Sequence, residues 1–453
     1  MDRRIDHTMI LTRQRAEEIF EQVLKYSTAD ETEAIISSTA YALTRFANNI
    51  IHQNVAEEGG SLSVRAVVDR RMARASTNKF DEAAIRQTCE AALALARLQP
   101  PDPDVLPMPG PQTFRAVHRF HRETAKLTPR ARAETARRVI ARAEKDGLTA
   151  AGVFSSGAFA AGLFNSRGLA AFHEETISEL SVTMLGQSSS GWAKKTSPNS
   201  RELDPDALAE RAASKALESR EPREVAPGKY TVILEPSAVL DLLGYLFSDF
   251  GGLAVHEQRS CLTGRVGQQL FGPNINVRDD VYHPLQAGAP FDGEGMPRQR
   301  VILVEKGVVK RVVYARQTAH KIGAKPTGHG FPLPNEIGEA PVNIVMEGGK
   351  SSLDEMVAST ERGLLVTRLW YIREVDPYQK ILTGMTRDGT FWVEDGKVQH
   401  GVRNLRFNQS VIEMLGQVEM MSPPQRTAGE ESFEMVVPAM KVRDFSFSSL
   451  TKF

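Results

Sequence analysis

At 453 residues, with 41% apolar and 25% charged side chains, the chain has the length of two large domains or three average ones and the composition of an ordinary folded protein. Its 56 basic and 56 acidic residues cancel, so a chain-wide attraction for nucleic acid is not expected. The two cysteines, Cys89 and Cys261, make no disulfide framework and suit a reducing, cytoplasmic setting, and no apolar run reaches the roughly eighteen residues that would span a membrane. The longest candidate, Val232 to Val255, is broken by Glu235, Asp241 and Asp249.

In chain order, MDRRIDHTMILTRQRAEE lacks the apolar core and small-residue cleavage site of an export signal. Behind a Thr12 cap, Ile19, Phe20, Val23 and Leu24 recur at helical spacing and predict an amphipathic helix to Lys25. ETEAIIS and YALTRFANNII then alternate as neighbouring strands do, and SLSVRAVVDRRMARAST resembles a hairpin between two extended arms. Asp81 opens an Ala- and Leu-rich helix through Leu98, which stops at QPPDPDVLPMPGP, a linker or long loop near residues 100–111. A second helix, Pro129 to Lys145, carries arginines expected on a solvated face. The turn NSRG, Asn165 to Gly168, separates two strand-like segments, GQSSSGWAKKTSPNS is expected as a flexible loop, and Asp204 to Glu218 as a helix.

EPREVAPG marks a boundary near residue 225, giving an N-terminal α/β domain, 1–225, with a sheet and flanking helices, and a β-rich domain, 226–453. In the second half YTVILE, RVILVE, GVVKRVVYA, PVNIVME, LLVTRLWYI, QKILTGMT, TFWVE and FEMVVP predict strands. EKG at Glu305–Gly307, RDG at Arg387–Gly389 and EDG at Glu394–Gly396 supply compact turns, so consecutive hairpins forming a barrel or sandwich are expected and the fold class is α+β.

One segment invites a metal reading. HEQRSC places His256, Glu257 and Cys261 as two ligands and a general base, but the established helical motif sets its ligands at i and i+4, on one face. Here the second candidate stands at i+5, about 140° around a straight helix, so a shared ion requires a bend or a helix end, for which Gly264 is available. The competing reading is a solvated His-Glu pair beside a buried structural cysteine. His283, His320 and His329 are isolated and read as surface or hydrogen-bonding residues, no G-x-S-x-G elbow occurs, and FDGEG, Phe291 to Gly295, reads as a turn.

Several long segments together resemble the TldD/PmbA family, bacterial and archaeal proteins once described as modulators of DNA gyrase. They are GRVGQQLFGPNINVRDD, PFDGEGMPRQRVILVEKGVVKRVVYARQTAHKIGAKPTGHG, GLLVTRLWYIREVDPYQKILTGMTRDGTFWVEDGK and VRNLRFNQSVIEMLGQVE, with RFANNIIHQ, SVRAVVDRRMARAST and NSRG in the first half. The resemblance implies a heterodimer of two related subunits that encloses a cavity and cleaves unfolded peptides with zinc. Only one subunit holds the metal, on a His-Glu-x-x-x-His helix upstream of the segment matching GRVGQQ, with a cysteine near the C-terminus. The corresponding stretch here is LGYLFS, Leu243 to Ser248, without imidazole or carboxylate, and Met421 to Met440 contains no cysteine. The resemblance therefore implies the TldE/PmbA-type subunit, with no metal in this chain and zinc in a TldD-type partner. Pro236 to Phe250 would be the remnant of the metal helix, with Leu240, Leu243 and Phe247 as its core stripe.

Peptide capture by strand addition suits such a subunit, because backbone hydrogen bonds give affinity without demanding a sequence. In VTRLWYIRE, Arg368, Trp370, Tyr371 and Arg373 alternate as a groove-lining strand would, against the plainer reading that Leu369 and Trp370 pack a core. Two further readings stand beside the subunit: a zinc peptidase using His256, Glu257 and Cys261, and a homodimeric peptide-binding or regulatory protein.

Overall fold

The computed structural model describes residues 10–451; the first half of the opening segment read against export, residues 1–9, lies outside the described residues. Helix α1 (Arg13–Tyr26) begins where expected, with the Thr12 hydroxyl accepting from the Arg15 amide, and buries Ala16, Ile19, Phe20 and Val23. The next two segments are not two strands. They form one, β1 (Glu31–Ala47), because nothing between them breaks the alternation; the reversal comes at Asn48 and Asn49, with φ of 52° and 60°, before β2 (Ile50–Val68). The expected hairpin follows at Asp69–Arg70 into β3 (Arg71–Thr77), and Asp81 caps α2 (Glu82–Leu98).

The proline cluster is not a free linker. Asp102 N donates to Arg70 O at 2.8 Å, Met108 N to Glu31 Oε2 at 2.7 Å and Asn165 Nδ2 to Pro109 O at 2.8 Å, so it is tied down across the sheet. Then come α3 (Arg122–Ala125), α4 (Pro129–Lys145), β4 (Thr149–Asn165), β5 (Ala170–Leu185), β6 (Ser190–Ser197) and α5 (Pro205–Glu218). Two expectations are corrected here. The Ser-rich loop becomes β6 after its first residues, since Trp192 and Ala193 find buried positions against the sheet. Not every arginine of α4 is solvated: Arg132 is fully buried and donates to Leu127 O at 2.8 Å. The six strands pair antiparallel in the order β3-β2-β1-β4-β5-β6.

The second half contains β7 (Gly228–Leu234), α6 (Pro236–Phe247), a 3-10 turn (Ser248–Phe250), α7 (Gly252–His256), β8 (Val277–Asp279), β9 (Val301–Glu305) and β10 (Val308–Val309). After these come α8 (Arg316–Ile322), β11 (Ile344–Met346), α9 (Leu353–Ala358), β12 (Arg362–Asp376), β13 (Ile381–Glu394), β14 (Lys397–Gly401) and β15 (Leu405–Ser410). The chain closes with α10 (Val411–Gly416), β16 (Val418–Met421), β17 (Gln425–Thr427), β18 (Met435–Val437) and β19 (Met440–Leu450). Strands β12-β7-β19-β15-β13 close on themselves through β12–β13, so the expected barrel or sandwich is a five-stranded barrel. A second sheet runs β10-β9-β8-β11-β18-β17, and α6 packs between it and the barrel.

EKG and EDG make hairpin turns, but RDG does not. Strand β13 runs straight through it, with Asp388 and Gly389 at φ of 53° and 119° forming a bulge opposite the register shift at Val366/Arg368. Among the described residues no helix is long and apolar enough to cross a membrane.

Candidate functional site

Pro236 at the first turn presets α6, and from there apolar residues face every direction: Val239, Leu240, Leu242, Leu243, Leu246 and Phe247 are all buried. LGYLFS is its last turn and a half. Leu243, Leu246 and Phe247 fill the core, and the Tyr245 hydroxyl donates to Ile372 O at 2.9 Å. One residue breaks the pattern. Asp241 has no exposed surface, accepts a 3.0 Å hydrogen bond from the Glu431 amide on Oδ1, and leaves Oδ2 without a partner. Burial pushes its carboxyl up to about 7, against the backbone N–H groups of Glu431 and Glu430.

The amides that reach Asp241 belong to residues 428–434, the loop joining β17 to β18. It lies along α6. Ser237 Oγ donates to Ala428 O at 3.3 Å, and a Cβ on Gly429 would collide with the Asp241 carboxylate and one on Gly244 with the Ser432 hydroxyl. Both glycines are therefore required for helix and loop to approach this closely.

The four residues of VTRLWYIRE divide into two pairs. Arg368 is buried and forked onto Asp388 through Nε, at 2.8 Å, and Nη2. Its guanidinium lies 4.9 Å from the Trp192 ring centre and 5.5 Å from that of Trp370, so this pair clasps β6 of the first sheet to the barrel. Tyr371 and Arg373 instead face outward at a β-bulge. Tyr371 has φ of 55°, which costs a side chain about 1–2 kcal/mol and turns its amide out of the ladder onto Glu431 Oε1 at 2.7 Å. Arg373 Nη1 stands 3.8 Å from the other oxygen of Glu431. Across the loop, Lys194 Nζ holds Gly429 O at 3.1 Å and Glu430 Oε1 at 3.2 Å. Burial works against the Lys194 charge, but Glu179 and Glu430 outweigh it and raise its pKa. Beyond Lys194 opens a cavity of about 440 Å³ between the two halves, lined among others by Trp192, Arg211, Glu235, Ser237 and Arg426.

The segment His256 to Cys261 is arranged differently. His256 ends α7 and, like Glu257, is exposed, and Glu257 pairs with Arg259 at 2.6 Å. Cys261 is buried beneath them. Burial, reinforced by the nearby Asp249, pushes its thiol up to about 12. Among the described residues no three His, Cys, Asp or Glu side chains are grouped to hold a metal ion. The side chains of LGYLFS offer no zinc ligand either, so the donor set here does not fit a resident ion. His329, by contrast, is buried 3.0 Å from Asp279, and His283 and His320 stand apart from it. In FDGEG, Asp292 accepts from the amides of Glu294, Met296 and Gly330 and fixes the expected turn.

Sequence reading missed Asp241, Lys194, Glu430 and Glu431. A lone carboxylate inside the apolar string PSAVLDLLGYLF was the available signal, because an uncompensated local violation of the hydrophobic pattern marks a special site.

A barrel packed with a second sheet through one buried helix, beside a six-stranded antiparallel sheet, defines a class. Residues 227–449 match the PmbA/TldA metallopeptidase C-terminal domain and residues 32–96 match PmbA/TldA metallopeptidase domain 1. The chain belongs to the TldD/PmbA family. It is similar to Metalloprotease PmbA of Escherichia coli O157:H7, 24% identical over 84% of this chain and 85% of that one. The Metalloprotease PmbA homolog of Haemophilus influenzae is likewise 24% identical, over 79% of each. The fold is shared with TldE from Thermococcus kodakarensis, at a TM-score of 0.87 and 22% identity over 96% of this chain and 99% of that one. A Thermotoga maritima protein described as a modulator of a DNA gyrase shares it at a TM-score of 0.85 and 21% identity, over 96% and 100%.

Proposed function

We propose that this chain is the non-catalytic, TldE/PmbA-like subunit of a cytoplasmic heterodimeric zinc metallopeptidase acting on unfolded or extended peptides. The observation that carries the reading is α6. The helix that the family resemblance assigns to the metal is filled with Leu243, Leu246 and Phe247, and its outward face is covered by residues 428–434. Zinc and the general base would come from a TldD-type partner, and this chain would help to enclose the substrate. The relatives' names as metalloproteases and the fold shared with a TldE support it.

The test is co-expression with a TldD-type chain carrying His-Glu-x-x-x-His and a C-terminal cysteine. The two together should form a 1:1 complex that cleaves an unfolded casein-like substrate, while this chain alone should not. Equal cleavage with this chain omitted overturns the proposal. Stoichiometric zinc on the isolated chain, lost in His256→Ala, would support the peptidase reading of His256, Glu257 and Cys261 instead, and a homodimer indifferent to the TldD-type chain would support a separate peptide-binding protein.

A further inference from the structure

We infer that the face of α6 bearing Ser237, Asp241 and Gly244 is the floor of a binding groove for an extended acidic peptide, and that residues 428–433 of this chain occupy it in cis. The loop is longer than its hairpin needs. Strands β17 and β18 pair antiparallel at Gln425 to Thr427 with Val437 to Met435, and such a pair is commonly joined by two to five residues, yet seven intervene. The surplus runs down the helix and is gripped as a ligand would be. Its carbonyl groups are met by Ser237 Oγ and Lys194 Nζ, its Glu431 amide by buried Asp241, and its two consecutive glutamates by Lys194 on one side and by Tyr371 N and Arg373 on the other.

The receiving side carries features a mere loop closure does not require. The left-handed Tyr371 presents a backbone N–H to a carboxylate. Asp241 stands wholly buried, with Oδ1 against Gly429 and Oδ2 unpartnered. The groove also continues past Lys194 and Ser237 into the 440 Å³ cavity between the two halves, so a longer peptide would have room at one end. Recognition is through main-chain groups, small residues against Asp241 and Gly244, and a Glu-Glu pair between two cations. A tethered segment competes at an effective concentration on the order of millimolar, which would mask the groove from dilute peptide until the loop is displaced.

This deepens the peptide-handling reading, and it is tested on the isolated full-length chain without any peptidase partner, so either can fail while the other stands. A fluorescently labelled peptide spanning residues 427–435 is titrated against the wild-type chain and the double variant Glu430→Lys, Glu431→Lys, whose own loop is repelled by Lys194 and Arg373. The variant should bind at least tenfold tighter than wild type, hydrogen exchange of residues 428–434 should quicken in it, and the peptide with both glutamates changed to lysine should not bind. Adding Arg373→Glu to the variant should abolish the gain. Equal binding to both proteins, no binding to either, or binding indifferent to the peptide's glutamates overturns the groove. A near-ultraviolet circular dichroism spectrum matching wild type keeps a negative result from being one of misfolding.

Discussion

Helix α6 and the segment from His256 to Cys261 have exchanged what a catalytic site needs. The second has the residue types of metal chemistry, but its imidazole and carboxylate stand in solvent while its thiol is buried and held protonated. The first has convergence, with a helix, a loop from the chain's far end and side chains from both halves meeting at one place, but no histidine, cysteine or carboxylate in its last turn. Residue identity and spacing therefore mislead unless the fold brings the side chains to one point.

The contrast can be broken from its strong side first. Phe247→Ala should destabilise the protein by about 3–5 kcal/mol, since a fully buried ring between helix and sheet leaves a cavity the close-packed surroundings cannot fill; urea denaturation would show the midpoint falling with little change in slope. Gly429→Ala comes next, at about 1–3 kcal/mol, because its Cβ would meet the Asp241 carboxylate; faster hydrogen exchange confined to residues 428–434 would show that the loop moves rather than the helix.

Asp241 sets a pH dependence. Its folded carboxyl titrates at about 7, above the ordinary value of about 4, so between those pH values the folded state holds the proton that the unfolded chain has lost. Its contribution to stability is full below the unfolded value and is lost as pH rises through about 7. The groups facing it are Glu430 and Glu431, which oppose its ionisation, and their backbone amides, which favour it. Burial brings Glu294 up to about 7 as well, so the informative quantity is the difference between wild type and Asp241→Asn: up to about 1.4 kcal/mol per pH unit between pH 4 and 7 and flat above. A constant difference across that range would show that Asp241 does not titrate there. The smallest effect belongs to the motif-like segment: His256→Ala should change stability by less than about 0.5 kcal/mol and leave zinc content and thermal midpoint unmoved, and a larger loss would return weight to a role for His256.

Much of the fold was legible because its signals are local. Thr12, Asp81 and Asp204 cap helices at the expected places, and Asp69–Arg70 and Asn165–Gly168 turn the chain where turn residues cluster. The misreadings share a cause. Gly389 is a turn residue by type, yet it serves a bulge within a continuous β13, and the serines before Trp192 lead into an edge strand because the sheet and α5 supply the burial. Arg132 is buried with Leu127 O accepting a hydrogen bond from its Nη1, a partner that helical periodicity does not announce.

For the candidate site the division is sharper. The sequence by itself determined that LGYLFS carries no histidine, cysteine or carboxylate, and it offered Arg368, Trp370, Tyr371 and Arg373 as one groove-lining set, of which the structure leaves Tyr371 and Arg373 facing outward. Only the tertiary structure decided what they hold: Glu431, sixty residues on from Tyr371, brought beside it and Asp241 by the pairing of β17 with β18 across the core helix. Helix caps and turns are read from neighbours along the chain, whereas a groove filled by a distant loop exists only after the sheets have set the distance between its walls.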